Sequence, residues 1–378
     1  MANIVVLGTG LVGKAIALDL ARQHDVLAVD CNQQALEELI SRNSTVKTKL
    51  ADLSNPEHIS GNIIDADIVV SAVPGHMGYK TLETIIRSSK NVVDIAFFPE
   101  DASQLDSLAK EHHVTAIVDM GVAPGLSHLV LGRHAIDIQI ERFKCMVGGL
   151  PKKPRPPFNY KAPFSPVDVV EEYTRPARLV RNGKVLTLPA LSEIESVDFP
   201  SVGTLEAFNT DGLRSLIYSF PDIPDMVEKT LRYPGHAKLM QTLRDIGYLD
   251  TKIIDDSDTQ LNPLQISTEL FKKHWKLEKD EPEFTVMRIE LSGKERNGAG
   301  EVDIRYDLYD EYDEQTGISS MARTTGYMCT AGVNLVLGNI FTEKGIIPPE
   351  KIGQDTACYQ SVLNYYAERG VQLVQVNT

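Results

Sequence analysis

Ile4-Val5-Val6-Leu7 runs into Gly8-Thr9-Gly10-Leu11-Val12-Gly13, and an amphipathic stretch then leads to Val26-Leu27-Ala28-Val29-Asp30. An apolar strand, a Gly-x-Gly-x-x-Gly turn, a helix and a second strand closed by an acid together make the pattern of a dinucleotide site. Gly8 permits the tight turn out of the strand, Gly10 lets the backbone approach a pyrophosphate, and Gly13 lets the helix pack on the sheet. The phosphates are expected to rest on the N–H groups of Leu11, Val12 and Gly13 at the helix N-terminus. Asp30 follows Gly13 by 17 residues. A carboxylate there accepts hydrogen bonds from ribose hydroxyls and repels a 2′-phosphate, so NAD is expected over NADP. An ordinary βαβ unit with small residues in its turn is the plainer alternative.

In an open α/β sheet the ligand lies at the carboxyl ends of the strands. Three such ends carry chemically useful residues: Ser71 to Tyr79, Asp94 to Asp101, and Asp119 to His128. Each combines small residues with one or two polar groups, as closing over a nicotinamide ring would require. Ser71, Val73 and Pro74 are read as cofactor contacts, Tyr79 as a substrate flank, and Asp119, Asp94 and His128 as the catalytic candidates. Plain strand-to-helix turns at Pro74-Gly75, Phe98-Pro99 and Pro124-Gly125 would also explain these segments, with Asp101 and Ser127 as helix caps. Asp52, after the third strand, is either an acid near adenine or the N-cap of a short helix. No cluster has metal-ligand spacing, and hydride transfer needs no metal.

These residues must be held by a scaffold. The short apolar runs Ile68-Val69-Val70, Val92-Val93 and Ala116-Ile117-Val118 alternate with helical patterns at 76–88 and 101–112. Wholly apolar strands belong to a sheet covered on both faces. Residues 1–125 therefore read as a Rossmann-type, doubly wound parallel sheet. Beyond Pro124-Gly125 the character changes. Residues 151–166 hold six prolines, too many for regular helix or central strand. Leu179 to Leu186 is a hairpin pattern turning at Asn182-Gly183, and Phe284–Ser292 and Glu301–Tyr309 alternate as strands. With helical patterns near 236–247 and 263–275, residues 126–330 read as an α+β substrate domain with a mixed or antiparallel sheet. Residues 331–378, helical near 327–342 and 356–369, are expected to return to the first domain. The fold class is α/β with a second α+β domain.

At 378 residues the chain has room for two domains. Its net charge of −14 argues against nucleic acid or an anionic membrane as partner, since both need a basic surface. A small-molecule substrate is the better expectation. No secretory signal pattern opens the sequence and no apolar run reaches the roughly 18 residues of a membrane span, so a cytoplasmic location is expected. Cys31, Cys145, Cys329 and Cys358 are scattered without a Cys-x-x-Cys pair, which fits reduced thiols.

The strand-end segments occur together with Gly148-Gly149-Leu150-Pro151, Glu171 to Arg178, Asp211-Gly212-Leu213-Arg214-Ser215, Arg232-Tyr233-Pro234-Gly235-His236 and Gly345 to Glu350. In these strings the sequence resembles the saccharopine dehydrogenase-like family nearly end to end, with its L-lysine 6-dehydrogenase branch nearest. The resemblance implies a nucleotide-binding domain, a substrate domain used for dimer formation, and NAD-linked oxidation of the ε-carbon of L-lysine. The imine formed would hydrolyse to 2-aminoadipate 6-semialdehyde and cyclise to a piperideine carboxylate. Ala123 stands where saccharopine reductases carry an acid before the Pro-Gly, which counts against saccharopine as substrate.

Hydride leaves such a carbon only when nitrogen offers a lone pair, so an ammonium of pKa near 10 must lose its proton. His128, Asp119 and Asp94 are the groups that could take or orient it. An α-carboxylate prefers a bidentate arginine. Arg214 is the first choice, Arg178 the second, and each is otherwise a surface ion pair. His236 either reaches the substrate from the second domain or caps its helix. A homodimer or larger homo-oligomer is expected. A saccharopine-type imine reductase and a non-catalytic dinucleotide sensor are the alternatives.

Overall fold

The computed structural model describes residues 1–200, 202–256, 259–278, 281–298 and 300–376. In chain order the first elements are β1 (Asn3–Leu7), α1 (Leu11–Leu20), β2 (Asp25–Asp30), α2 (Gln33–Arg42), β3 (Lys47–Leu50), α3 (Pro56–Asn62), β4 (Ile68–Ser71) and α4 (Gly75–Arg87). They continue with β5 (Asn91–Asp94), α5 (Asp106–Glu111), β6 (Thr115–Ile117), α6 (Leu126–His134), β7 (Ile138–Pro151), α7 (Pro166–Thr174), β8 (Ala177–Arg181) and β9 (Lys184–Leu188). Next come β10 (Glu195–Phe199), β11 (Gly203–Asn209), α8 (Leu216–Ser219), β12 (Asp225–Arg232), α9 (His236–Asp245), β13 (Ile254–Asp256), β14 (Thr259–Leu261) and α10 (Pro263–Trp275). The chain closes with β15 (Glu283–Glu295), β16 (Glu301–Glu311), α11 (Ser320–Leu337), β17 (Gly345–Ile347), α12 (Pro349–Gly353), α13 (Thr356–Ala367) and β18 (Leu373–Val376).

Two compact units result: residues 1–138 with 321–372, and residues 139–320 with 373–378. The first unit carries a parallel sheet in the order β17-β6-β5-β4-β1-β2-β3. Its central strands are apolar because helices cover them: Val5, Leu7, Val69, Val92 and Ala116 share one buried cluster with Leu82, Ile85 and Ile86 of α4. The order reverses between β1 and β4, and α1 begins at that switch, where an open α/β sheet takes its ligand.

The second unit is built on a nine-stranded sheet whose main path runs β10-β11-β12-β7-β15-β16-β18, with β8 and β9 joined through β12. It is mixed: β12 runs parallel to β7, and β11 and β16 run antiparallel to β12 and β15. Helices α7, α9 and α10 bury Val169, Tyr173, Met240, Phe271 and Trp275 in one cluster with sheet residues such as Phe208, Leu231 and Phe284. The Asn182-Gly183 hairpin forms as its sequence suggests, with both residues at positive φ (51° and 72°), the turn that matches strand twist.

The unit boundaries differ from those read in the sequence. Unit one extends past residue 125 through α6, because α6 packs closely on α12: a β-carbon on Gly353 would lie 2.9 Å from the Leu129 carbonyl carbon. It resumes at 321 rather than 331, since α11 is one uninterrupted helix. The returning segment is tied down by buried Asp19 of α1, which accepts hydrogen bonds from Thr330 Oγ1 (2.8 Å), Tyr365 OH (2.7 Å) and Arg369 Nε (2.8 Å). The sequence reading of the second domain named the 179–186 hairpin and the strands at 284–292 and 301–309, so β7, β10 to β14 and the two short terminal strands β17 and β18 are added by the structure. β17 extends the parallel sheet beside β6, and β18 leaves the helices and pairs with β16 of the second unit.

Candidate active site

Gly8 adopts a φ of +97°, and a β-carbon there would collide with the Ala72 carbonyl. Gly13 is equally constrained, its missing β-carbon falling on the Gly8 carbonyl. These contacts bring the glycine turn onto Ala72 and Val73, between the other predicted cofactor contacts Ser71 and Pro74 in the chain. Gly10 differs. Its φ of −63° and ψ of −170° suit any residue, and a β-carbon there would meet nothing within 4 Å. Neither strain nor packing calls for glycine at position 10, whereas close approach of a phosphate does.

Helix α1 starts immediately after Gly10 with no side-chain cap, which leaves its N-terminus to a ligand. Leu11 is 43% exposed at that rim. Asp30 closes β2 beside the turn. Its Oδ2 accepts from the Thr9 N–H (2.6 Å) and Oγ1–H (2.9 Å), and its Oδ1 from the Asn32 N–H (2.8 Å). Asp52 is exposed at the end of β3, and its carboxylate accepts from the Ser54 N–H (2.9 Å), which holds its pKa below the usual range. It does not cap α3; Asn55 does, with Pro56 behind it. Burial, then Asp30 and, more weakly, Asp52 push the Cys31 thiol up, so both acids lie near that residue. The residues fit a dinucleotide: a bare helix N-terminus, an unfilled space at Gly10, and an acid at the ribose position.

Of the catalytic candidates, Asp94 ends β5, Asp119 follows β6, and His128 lies in α6. Asp94 is fully buried, pairs in register with Ser71, accepts from the Ala96 N–H through Oδ1 (2.9 Å), and receives the Met120 N–H on its carbonyl (3.1 Å). Asp119 is 7% exposed and held at a φ of +52°, backbone strain of the kind that collects at functional sites. His128 is wholly buried in α6, its Nδ1 3.1 Å from Ser127 Oγ. Tyr79 packs edge-on against Phe98 at 5.9 Å between ring centroids. Asp101 caps its short helix through the Ser103 N–H, the plainer of its two readings.

In the second unit Arg178 grips Asp211 with both Nε (2.8 Å) and Nη2 (2.9 Å), which raises its pKa and commits its fork to an internal ion pair. Arg214 is 6% exposed at a φ of +49°. Sequence reasoning did not single out Arg175 or Glu228. Burial lowers the Arg175 pKa, Glu171 opposes that shift, and Arg214 adds to it, so two guanidinium groups share one neighbourhood. The Glu228 carboxylate fills the space where Gly212 lacks a side chain. Only the pairing of β11 with β12 brings 209–215 and 228 together, a proximity that spacing along the chain does not encode.

His236 is 2% exposed, with Nδ1 2.8 Å from the Phe158 carbonyl and Nε2 2.9 Å from Tyr173 OH. A carbonyl only accepts, so Nδ1 carries the proton and Nε2 accepts from the tyrosine. Burial first, and Arg232 next, press its pKa down to about 3. Both nitrogens of this ring are thus occupied inside a network in which Arg232 also donates to Tyr173, Tyr160 and Glu172. The strings Glu171 to Arg178 and Arg232 to His236 meet in that buried interior. Among the described residues no three His, Cys, Asp or Glu side chains are placed to hold a metal, and no helix is long and apolar enough to cross a membrane.

Comparison with known proteins agrees with this arrangement. The bovine mitochondrial alpha-aminoadipic semialdehyde synthase is 26% identical over 280 residues, covering 69% of this chain and 30% of that protein. The Saccharomyces cerevisiae protein named saccharopine dehydrogenase [NADP(+), L-glutamate-forming] is 23% identical over 260 residues, covering 65% of this chain and 58% of that one. The chain therefore spans less than two thirds of the length of these curated relatives. A solved structure of the apo, histidine-tagged L-Glu-forming saccharopine dehydrogenase from the same yeast superposes with a TM-score of 0.80 over 100% of both chains at 18% identity, which establishes the shared fold. Residues 4–117 match the saccharopine dehydrogenase NADP binding domain and residues 121–371 match the saccharopine dehydrogenase C-terminal domain, so the chain belongs to the saccharopine dehydrogenase family.

Proposed function

We propose that this chain is an NAD-dependent oxidoreductase of amino-acid metabolism that oxidises the carbon bearing the ε-amine of L-lysine. Lysine, NAD and water would yield 2-aminoadipate 6-semialdehyde, NADH and ammonium, the aldehyde then cyclising to a piperideine carboxylate. The observation that carries the reading is Gly10, which neither backbone conformation nor packing requires to be glycine. The Leu11, Val12 and Gly13 N–H groups would hold the diphosphate, Asp30 the ribose, and Ser71, Val73 and Pro74 the nicotinamide end. NAD, when bound, supplies the hydride acceptor.

NAD is preferred in this reading because Asp30-Cys31-Asn32-Gln33 offers a carboxylate and no cation for a 2′-phosphate. Asp119, the strand-end acid with some exposure, is the proposed acceptor or orienter of the ammonium proton, ahead of the wholly buried Asp94 and His128. Arg214, with Arg175 near it, is the proposed partner of the α-carboxylate. A cytoplasmic location and assembly into a homodimer or larger homo-oligomer belong to the same proposal, the latter measured by sedimentation equilibrium.

The test is absorbance at 340 nm when the purified chain meets NAD and L-lysine at alkaline pH, where more of the amine is free. A rise with lysine supports the reading. A rise with saccharopine alone moves the chain to the activity named for its yeast relative, and no rise with lysine, related diamino acids or saccharopine leaves it a dinucleotide sensor at most.

A further inference from the structure

We infer that Thr9 is a positioning residue for coenzyme selection, acting through Asp30; this rests on the dinucleotide reading above. Thr9 is fully buried inside the glycine turn. Its side chain bonds the Asp30 carboxylate through Oγ1–H to Oδ2 at 2.9 Å, beside its own N–H to the same oxygen at 2.6 Å; the Cys31 thiol, a weak donor, also bonds this carboxylate. The N–H would be present with any residue but proline at position 9. The hydroxyl is what the threonine adds.

A carboxylate offers about four acceptor positions. Thr9 takes both on Oδ2, and the Asn32 N–H takes one on Oδ1 at 2.8 Å. Oδ1 rather than Oδ2 is therefore the oxygen that would meet a ribose hydroxyl. With both oxygens anchored, Asp30 cannot rotate its charge away from a 2′-phosphate, so repulsion of NADPH is built into the turn. Without the hydroxyl, Oδ2 keeps a single bond and the carboxylate gains freedom to turn. NADH then loses an oriented acceptor while NADPH escapes a fixed negative charge.

The experiment titrates NADH and NADPH into the full chain by nucleotide fluorescence, with no turnover involved, and follows thermal unfolding in parallel. Thr9→Val keeps the shape and removes the hydroxyl; Thr9→Ala removes it with less bulk should valine fold poorly; Thr9→Ser restores it. The expected result is an NADH affinity about fivefold weaker in Val and Ala, as for loss of one hydrogen bond, an NADPH affinity unchanged or tighter, and recovery of discrimination in Ser. Equal losses for both nucleotides, or no change in either, would show that the hydroxyl serves the fold alone and would overturn the inference. Failure of the unaltered chain to bind either nucleotide would instead overturn the underlying dinucleotide reading, and the inference with it.

Discussion

Gly13 and Gly8 touch so closely that a β-carbon on Gly13 would lie 2.9 Å from the Gly8 carbonyl carbon and closer still to its oxygen, whereas one on Gly10, between them, would meet nothing. Two glycines of the same turn therefore answer to different demands. Gly13→Ala must push the turn away from α1 and is expected to cost about 1–3 kcal/mol of stability, as overpacking does. Gly10→Ala is expected to leave thermal unfolding almost unchanged while weakening NADH binding tenfold or more. Calorimetric melting paired with NADH titration separates the two, and a Gly10→Ala variant that melts early and binds normally would reverse the assignment.

Asp30→Ser removes the charge at the end of β2 and keeps a small polar side chain. NADH affinity should fall tenfold or more and the gap between NADH and NADPH should narrow, since the ribose loses a charged acceptor worth about 1.5–3 kcal/mol and the 2′-phosphate loses its repulsion. An unaltered preference would place the ribose elsewhere.

His236 is held neutral, its pKa near 3 against an ordinary value of about 6.5. Between those values the unfolded chain binds a proton that the fold excludes, so stability is complete above about pH 6.5 and falls as pH drops toward 3. His236→Gln should be less stable than the parent at pH 7, yet lose on the order of 2 kcal/mol less between pH 7 and pH 4. Urea midpoints at both pH values measure the difference, and parallel losses would show that this imidazole does not carry the acid sensitivity.

Arg178 and Arg214 should respond differently to the same change. Arg178→Lys breaks a two-pronged grip on Asp211 and is expected to lower stability by about 1–2 kcal/mol with little effect on KM. Arg214→Lys is expected to raise the KM for the amino acid by tenfold or more with a smaller change in melting temperature. A KM that rises for Arg178→Lys and not for Arg214→Lys would exchange the two roles.

Much of the nucleotide-binding unit is legible in the chain because its determinants are local. Gly8, Gly10 and Gly13 lie within six residues, Asp30 ends the next strand, and the apolar runs that become β4, β5 and β6 announce a covered parallel sheet. The caps are equally local: Asn32, Asn55, Asn262 and Asp355 each accept from the first turn of the helix they precede. β17 and β18 are less legible, because Gly345 opens the one just before Pro348-Pro349 and Gln375 interrupts the other, so neither is the wholly apolar run that marks β4 to β6.

The polar residues divide along the same line. Residue type and spacing named Arg178, Arg214 and His236 as chemically able, and the hydride-transfer reading of the glycine turn, Asp30 and the strand ends follows from the sequence alone. Partners across 33, 63 and 78 residues decided what two of those side chains do: Asp211 closes on Arg178, and Tyr173 with the Phe158 carbonyl takes both nitrogens of His236. A hydrogen bond spends a donor or acceptor wherever folding brings its partner, and burial then sets the charge, so such a group's availability is a property of the packed chain. Conformation made the remaining distinction, between the glycine that the turn requires at position 8 and the one at position 10 that leaves room for something else.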